Sequence, residues 1–164
     1  MHSHFGLEEQ NLLAAPLIVR EQSAISSGLQ EVVIFLEDFS WTPPRAIFEN
    51  LRRPKPMTMG RRAMNTPDLN DVTFDAFLAN DRTLADPQMV DVDRGAEVRL
   101  RIINGAASSN FMIDLGAVDG TVLTVDGNPV APLVTRQFPL AIAQRVDIAV
   151  RLPADGTALP ILAR

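Results

Sequence analysis

The sequence contains no cysteine, so no disulfide can form. A blue-copper electron-transfer centre is excluded as well, because it requires a thiolate. Redox compartment stays open, since a chain without thiols carries no sign of it. Only two histidines occur, at positions 2 and 4, and none follows. A Ser/His/Asp triad in the body of the chain is therefore ruled out. No G-x-x-x-x-G-K-[ST] loop for phosphate appears either. Basic excess is missing: the net charge is −5, against the positive patch that a nucleic-acid binder needs. Long apolar runs are missing too. The longest, Val32–Leu36, is strand-sized and far below the ~18 residues of a membrane span.

What is present suits a soluble globular protein: 164 residues, 46 % apolar and 21 % charged. That length is enough for one well-packed domain with some chain to spare. Its chemistry-bearing residues sit at the start, in Met1-His2-Ser3-His4-Phe5-Gly6-Leu7-Glu8-Glu9-Gln10. In an extended stretch His2 and His4 project to one face, with Cα atoms roughly 6.5 Å apart. Two imidazoles so placed suit one metal ion, or two adjacent ones. Copper, zinc, iron and nickel all accept imidazole, and the pair alone does not choose among them. A polar tail or an adventitious site beside a free amino terminus is the competing reading.

Taken in order, residues 1 to 20 predict a strand end, a short loop and a second strand at Leu17–Val19. Two strands are marginal alone, so this segment must lean on other chain. Residues 21 to 30 are a polar connector with turn formers, where the domain boundary is expected. Val32–Leu36 predicts a fully buried strand. Trp41 is expected to anchor the chain that follows, and Ala46–Leu51 to form one or two helical turns after Pro44. Residues 52 to 70 read as an exposed loop carrying Met57, Met59 and Met64. Thioethers favour Cu(I), so a methionine-based copper entry site is one reading; linker or gap-filling methionines are the others.

From Val72 onward the pattern is β. Phe74–Leu78, Met89–Val92, Val98–Ile102, Phe111–Leu115, Thr121–Val125, Phe138–Ile142 and Val146–Leu152 are the predicted strands. Turns are expected at Asn80-Asp81, Arg94-Gly95 and the Asp-Gly pairs 119–120, 126–127 and 155–156. Val98–Ile102 alternates arginine with aliphatics, as in a half-exposed strand. Arg145 and Asp147 share a strand face, suited to a turn or an ion pair. Asn80 and Asn104 lie at strand ends, where an amide satisfies loose backbone groups. The fold class is all-β, a sandwich or barrel with no helix in its core.

The motif His2-Ser3-His4-Phe5-Gly6-Leu7-Glu8-Glu9-Gln10, followed by Ala15-Pro16-Leu17-Ile18-Val19, resembles the end of the first domain of multicopper oxidases of the laccase-like family. It departs from that pattern at Leu13 and Ala15, in the bend rather than at the ligands. Phe77-Leu78-Ala79-Asn80, Val98 to Asn104, Val125 to Val130 and Gln144 to Ile148 resemble, in order, the middle domain of the same family. The likeness covers nearly all of the chain except roughly residues 52 to 70.

The resemblance implies a cupredoxin-like Greek-key β-sandwich at 25–164, carrying no copper ligands of its own. It is preceded at 1–24 by the final segment of a first cupredoxin domain, so the chain is expected to be a piece of a longer protein. His2 and His4 match the family's ligands to the type 3 copper pair of a trinuclear cluster. In the intact enzyme a blue copper takes electrons singly from a phenol, metal ion or similar reductant, and the cluster reduces O2 to water. The resemblance places such an enzyme in the periplasm or outside the cell, with flanking cupredoxin domains as its partners. The fragment alone is expected to be inactive and to contain no catalytic residue. The alternative is a self-standing, non-catalytic cupredoxin-like module that binds copper or a partner.

Overall fold

The computed structural model describes residues 1–20, 29–53 and 71–164. The methionine loop and most of the polar connector lie outside them. Nine strands stack in two layers: β1 Gln30–Phe39, β2 Ala76–Ala79, β3 Glu97–Asn104, β4 Phe111–Asp114, β5 Gly120–Val125, β6 Asn128–Thr135, β7 Gln137–Leu140, β8 Arg145–Arg151 and β9 Leu162–Ala163. One sheet runs β2-β1-β3-β8-β5-β6 and the other β7-β4-β9. Among the described residues the β1–β3 pair is parallel and the other strand pairings are antiparallel. Helix α1, Pro44–Leu51, starts on the proline and buries no residue, in keeping with a core that needs no helix.

The core follows from strand alternation. Val98, Leu100 and Ile102 of β3 and Val146, Ile148 and Val150 of β8 point inward, and the residues between them point out. Against them lie Phe111 and Ile113 of β4, Leu115, and Phe138 and Leu140 of β7. Burying each such side chain contributes about 1.5–3 kcal/mol relative to leaving it in water.

The outward face of this sheet differs from the half-exposed strand expected at Val98–Ile102. Arg99 and Arg101 are only 20 % and 11 % exposed, because acidic neighbours close over them. Arg101 donates to Glu31 Oε1 at 2.6 Å and Arg99 to Asp147 Oδ2 at 2.5 Å. Arg101 also stands directly opposite Asp147 in the β3–β8 register. Arg20, from the N-terminal segment, reaches Glu31 Oε2 at 3.0 Å. Burial pushes the Glu31 carboxyl up, but the Arg101 hydrogen bond and the charges of Arg101, Arg20 and Arg99 outweigh it and hold it below its ordinary value. Arg145 instead pairs with Asp126 of the β5–β6 turn, so Arg145 and Asp147 serve a turn and an ion pair respectively.

Strand β1 is buried from Phe35 to Asp38 rather than from Val32 to Leu36. The two acids of that buried stretch, Glu37 and Asp38, have opposite surroundings. Asp38 accepts from the Ala107 and Ser108 N–H groups and from Ser109 Oγ, locking the β3–β4 loop. Glu37 is 3 % exposed; burial, then the charges of Asp81 and Asp38, push its carboxyl from 4.5 up to about 7. The two asparagines act as expected. Asn80 accepts from Phe35 N–H and donates to Val33 O. Asn104 donates to Ser109 O and Leu140 O and accepts from Ala106 N–H.

Several expectations are corrected. Met89–Val92 forms no strand, and neither does Leu17–Val19, whose Leu17 and Val19 are exposed. Among the described residues neither run is paired with a strand. Trp41 is 81 % exposed; among the described residues its ring meets the edge of Phe39, at 4.8 Å between ring centres, so it is not the packed anchor expected. Asp119-Gly120 is not a turn. The bend is at Gly116, whose φ is +66°, and Gly120 begins β5. A Cβ on Gly120 would lie 2.5 Å from Leu115 Cδ1 and 2.7 Å from Ile148 Cγ2, so glycine there serves close packing. Asp126-Gly127 is the expected hairpin turn, with φ of 51° and 78°. Strands β6 and β9 were not among the expected ones: β6 is exposed along nearly its whole length, which erases the alternation that marks a half-buried strand.

Candidate metal centre

Residues 1 to 15 close into a turn of their own. Met1 N donates to Ala15 O at 2.7 Å, and Ala15 N–H returns a bond to Met1 O at 2.8 Å. Ser3 N–H donates to Leu13 O at 3.1 Å, so the ends run antiparallel, with His2 bridged to Ala14. A single 3-10 turn, Glu9–Asn11, reverses the chain and ends on Leu12 in the left-handed region, φ 63°. Inside the turn Ser3 Oγ donates to Glu8 Oε2 at 2.7 Å and accepts from Phe5 N–H at 3.1 Å.

This turn brings His2 and His4 together. Their ring centres are 4.6 Å apart, and the two Nε2 atoms approach to 3.0 Å. Both residues are exposed. Two neutral imidazole nitrogens at that separation can both reach one transition-metal ion at the usual ~2.0–2.1 Å, or stand on two neighbouring ions. The donor set therefore fits copper. Among the described residues no group of three or more His, Cys, Asp or Glu could hold a metal by itself. The pair amounts to part of a ligand set.

One further residue stands at this site. Glu9 Oε1 lies 3.0 Å from His2 Nδ1, on the ring nitrogen that does not face His4. Strand spacing gives no reason to select Glu9, because its approach to His2 depends on the 3-10 reversal. The neighbouring Glu8-Glu9 pair in the sequence was the one available signal.

The two-layer sandwich defines the class: a cupredoxin-like β protein, here preceded by a short turn that carries an exposed histidine pair. A family model described as multicopper oxidase matches residues 30–159, and the chain belongs to the multicopper oxidase family. Among curated proteins it is 28 % identical to the multicopper oxidase MmcO of Mycobacterium tuberculosis, over 99 % of this chain and 34 % of that protein. It is 26 % identical to copper resistance protein A of Escherichia coli, over 99 % and 32 % respectively. Laccase-2 of Botryotinia fuckeliana is 28 % identical over 93 % of this chain and 26 % of its own length. A multicopper oxidase from Pseudomonas thermotolerans shares the fold with a TM-score of 0.59, at 21 % identity over 82 % of this chain and 30 % of that one. The chain thus spans about a third or less of the relatives it matches.

Proposed function

We propose that this chain is part of a copper-dependent oxidase in which His2 and His4 are two ligands of a multinuclear copper centre. In this reading 1–24 closes a first cupredoxin domain and 25–164 is the middle one. The observation that carries it is the 3.0 Å approach of the two imidazole Nε2 atoms within a chain of this family. Copper, when bound, supplies one-electron chemistry that couples oxidation of a reducing substrate to four-electron reduction of O2 to water. The protein's own part is positional. Ser3, between the ligands, is tied to Glu8, which keeps both rings on one side of the turn. The imidazoles bind as neutral donors and add no charge to the metal. The remaining ligands and the thiolate centre belong to sequence beyond this chain, in keeping with its share of the relatives' length.

The reading extends to a periplasmic or secreted location and to an isolated chain without oxidase activity. Among the described residues no helix is long and apolar enough to cross a membrane. The test is to compare the native full-length protein with its H2A and H4A forms. Copper content and O2 uptake with a phenolic substrate or Cu(I) should both fall, with O2 uptake near background. Full copper content and undiminished uptake in either variant would overturn the assignment. A native polypeptide no larger than this chain would favour a self-standing copper-binding module.

A further inference from the structure

We infer that Glu9 is a positioning residue that fixes the tautomer of His2, holding its proton on Nδ1 and leaving Nε2 bare toward His4. The inference deepens the reading of His2 as a ligand and rests on it for its functional meaning. Its structural content stands separately. A carboxylate oxygen 3.0 Å from Nδ1 is favourable when that nitrogen carries the proton and repulsive when it carries a lone pair. The opposite ring nitrogen of His2 lies 3.0 Å from His4 Nε2. Two bare nitrogens, or two protonated ones, repel at that distance, so one of the pair must donate. With the His2 proton drawn to Glu9, His4 is the donor and carries its proton on Nε2.

The two rings therefore hold opposite tautomers although they are one residue apart. His2 is ready for a metal, whereas His4 must shift its proton from Nε2 to Nδ1, by exchange with water, to offer Nε2 to the ion as a neutral ligand. A carboxylate behind a ligating imidazole also fixes the ring's orientation and raises its basicity. Glu9 sits on the 3-10 reversal, and the Met1–Ala15 and Ser3–Leu13 backbone bonds hold that reversal against the histidine strand. Glu8 has a different role, since its carboxylate is taken by Ser3 Oγ.

The experiment is long-range 1H–15N correlation on the metal-free 164-residue chain at pH 9, above the range in which imidazoles are ordinarily protonated. His2 is expected in the Nδ1–H form and His4 in the Nε2–H form. Glu9→Leu should return His2 to the Nε2–H form that free imidazole side chains prefer. A wild-type His2 already in the Nε2–H form overturns the inference, whatever the variant does to the turn. So does an Nδ1–H form that persists in Glu9→Leu. Competition for Cu(I) against a chromophoric chelator gives the second readout. Affinity should fall roughly 10-fold or more in Glu9→Leu, as for other partners of metal-binding histidines, and stay at the wild-type value in Glu49→Gln on the exposed helix. Expected tautomers with no Cu(I) binding would leave the Glu9–His2 pair standing and remove the ligand reading.

Discussion

Residues 1–20 and the sandwich are built from similar material and reach opposite outcomes. Ten of the first twenty residues are apolar, no fewer in proportion than in the chain as a whole, yet none of the twenty is buried. The sandwich core instead reaches 0 % exposure at Leu115 and Ile148. The difference is neighbours. Leu17 and Val19 lie outside any strand, with no partner strand among the described residues, whereas Ile148 sits on a strand flanked on both sides and covered by a second sheet. Apolar composition supplies the driving force for burial, but only strand pairing in a fixed register gives a side chain something to be buried against. The N-terminal turn is therefore held by backbone hydrogen bonds and polar contacts, which leaves its histidines accessible.

The largest expected effect tests that contrast directly. Ile148→Ala should destabilise the chain by about 3 kcal/mol in urea unfolding, since it opens a cavity at the centre of both layers. Leu17→Ala removes a side chain of similar size and should change stability by no more than about 0.5 kcal/mol. Equal effects at the two positions would mean that residues 1–20 are packed after all.

A smaller effect, with a definite pH dependence, comes from within the sandwich. Glu37 is buried beside Asp81 and Asp38, and its carboxyl is raised from 4.5 to about 7. Between those values the folded chain holds a proton that the unfolded chain releases. Wild-type stability must therefore fall as pH rises from about 4.5 to about 7, and stay lowered above that. Glu37→Gln removes the titrating group and should be the more stable protein at pH 8, by on the order of 2 kcal/mol. The two proteins should converge below pH 4.5. A wild-type profile parallel to that of the variant across this window would show that Glu37 finds a compensating partner in solution.

The fold was legible wherever one strand face is solvated or a turn has obligatory residues. β3, β8, the Asp126-Gly127 hairpin and helix α1 after Pro44 all fall where pattern and turn chemistry place them. Sequence alone fails where the deciding partner is distant in the chain. Arg99 and Arg101 read as solvent-facing because nothing local shows Glu31 and Asp147 arriving from β1 and β8. Gly120 reads as a turn residue because its crowding by Leu115 and Ile148 exists only after both layers are assembled. The same logic applies at the candidate metal centre. His2 and His4 were visible from spacing, whereas Glu9 approaches His2 only through a reversal that no alternation pattern encodes.

A comparably small stability effect is expected at His2 and His4, the proposed ligands. His2→Ala and His4→Ala remove exposed rings that, among the described residues, contact each other and Glu9. Each should leave the unfolding midpoint of the metal-free chain within the range of an ordinary surface change, about 0.5 kcal/mol. The sandwich should keep its cooperativity, because its core contains no residue from 1–20. Calorimetry of the metal-free variants checks this. A large loss would require the turn to be docked on the body through more than the Arg20–Glu31 pair. An unchanged midpoint in the metal-free variants, set against a difference that appears only when copper is added, would show that binding rather than folding is what the two histidines serve. In that case the metal itself becomes the missing neighbour, and the energy that orders residues 1–20 comes from ligation instead of burial.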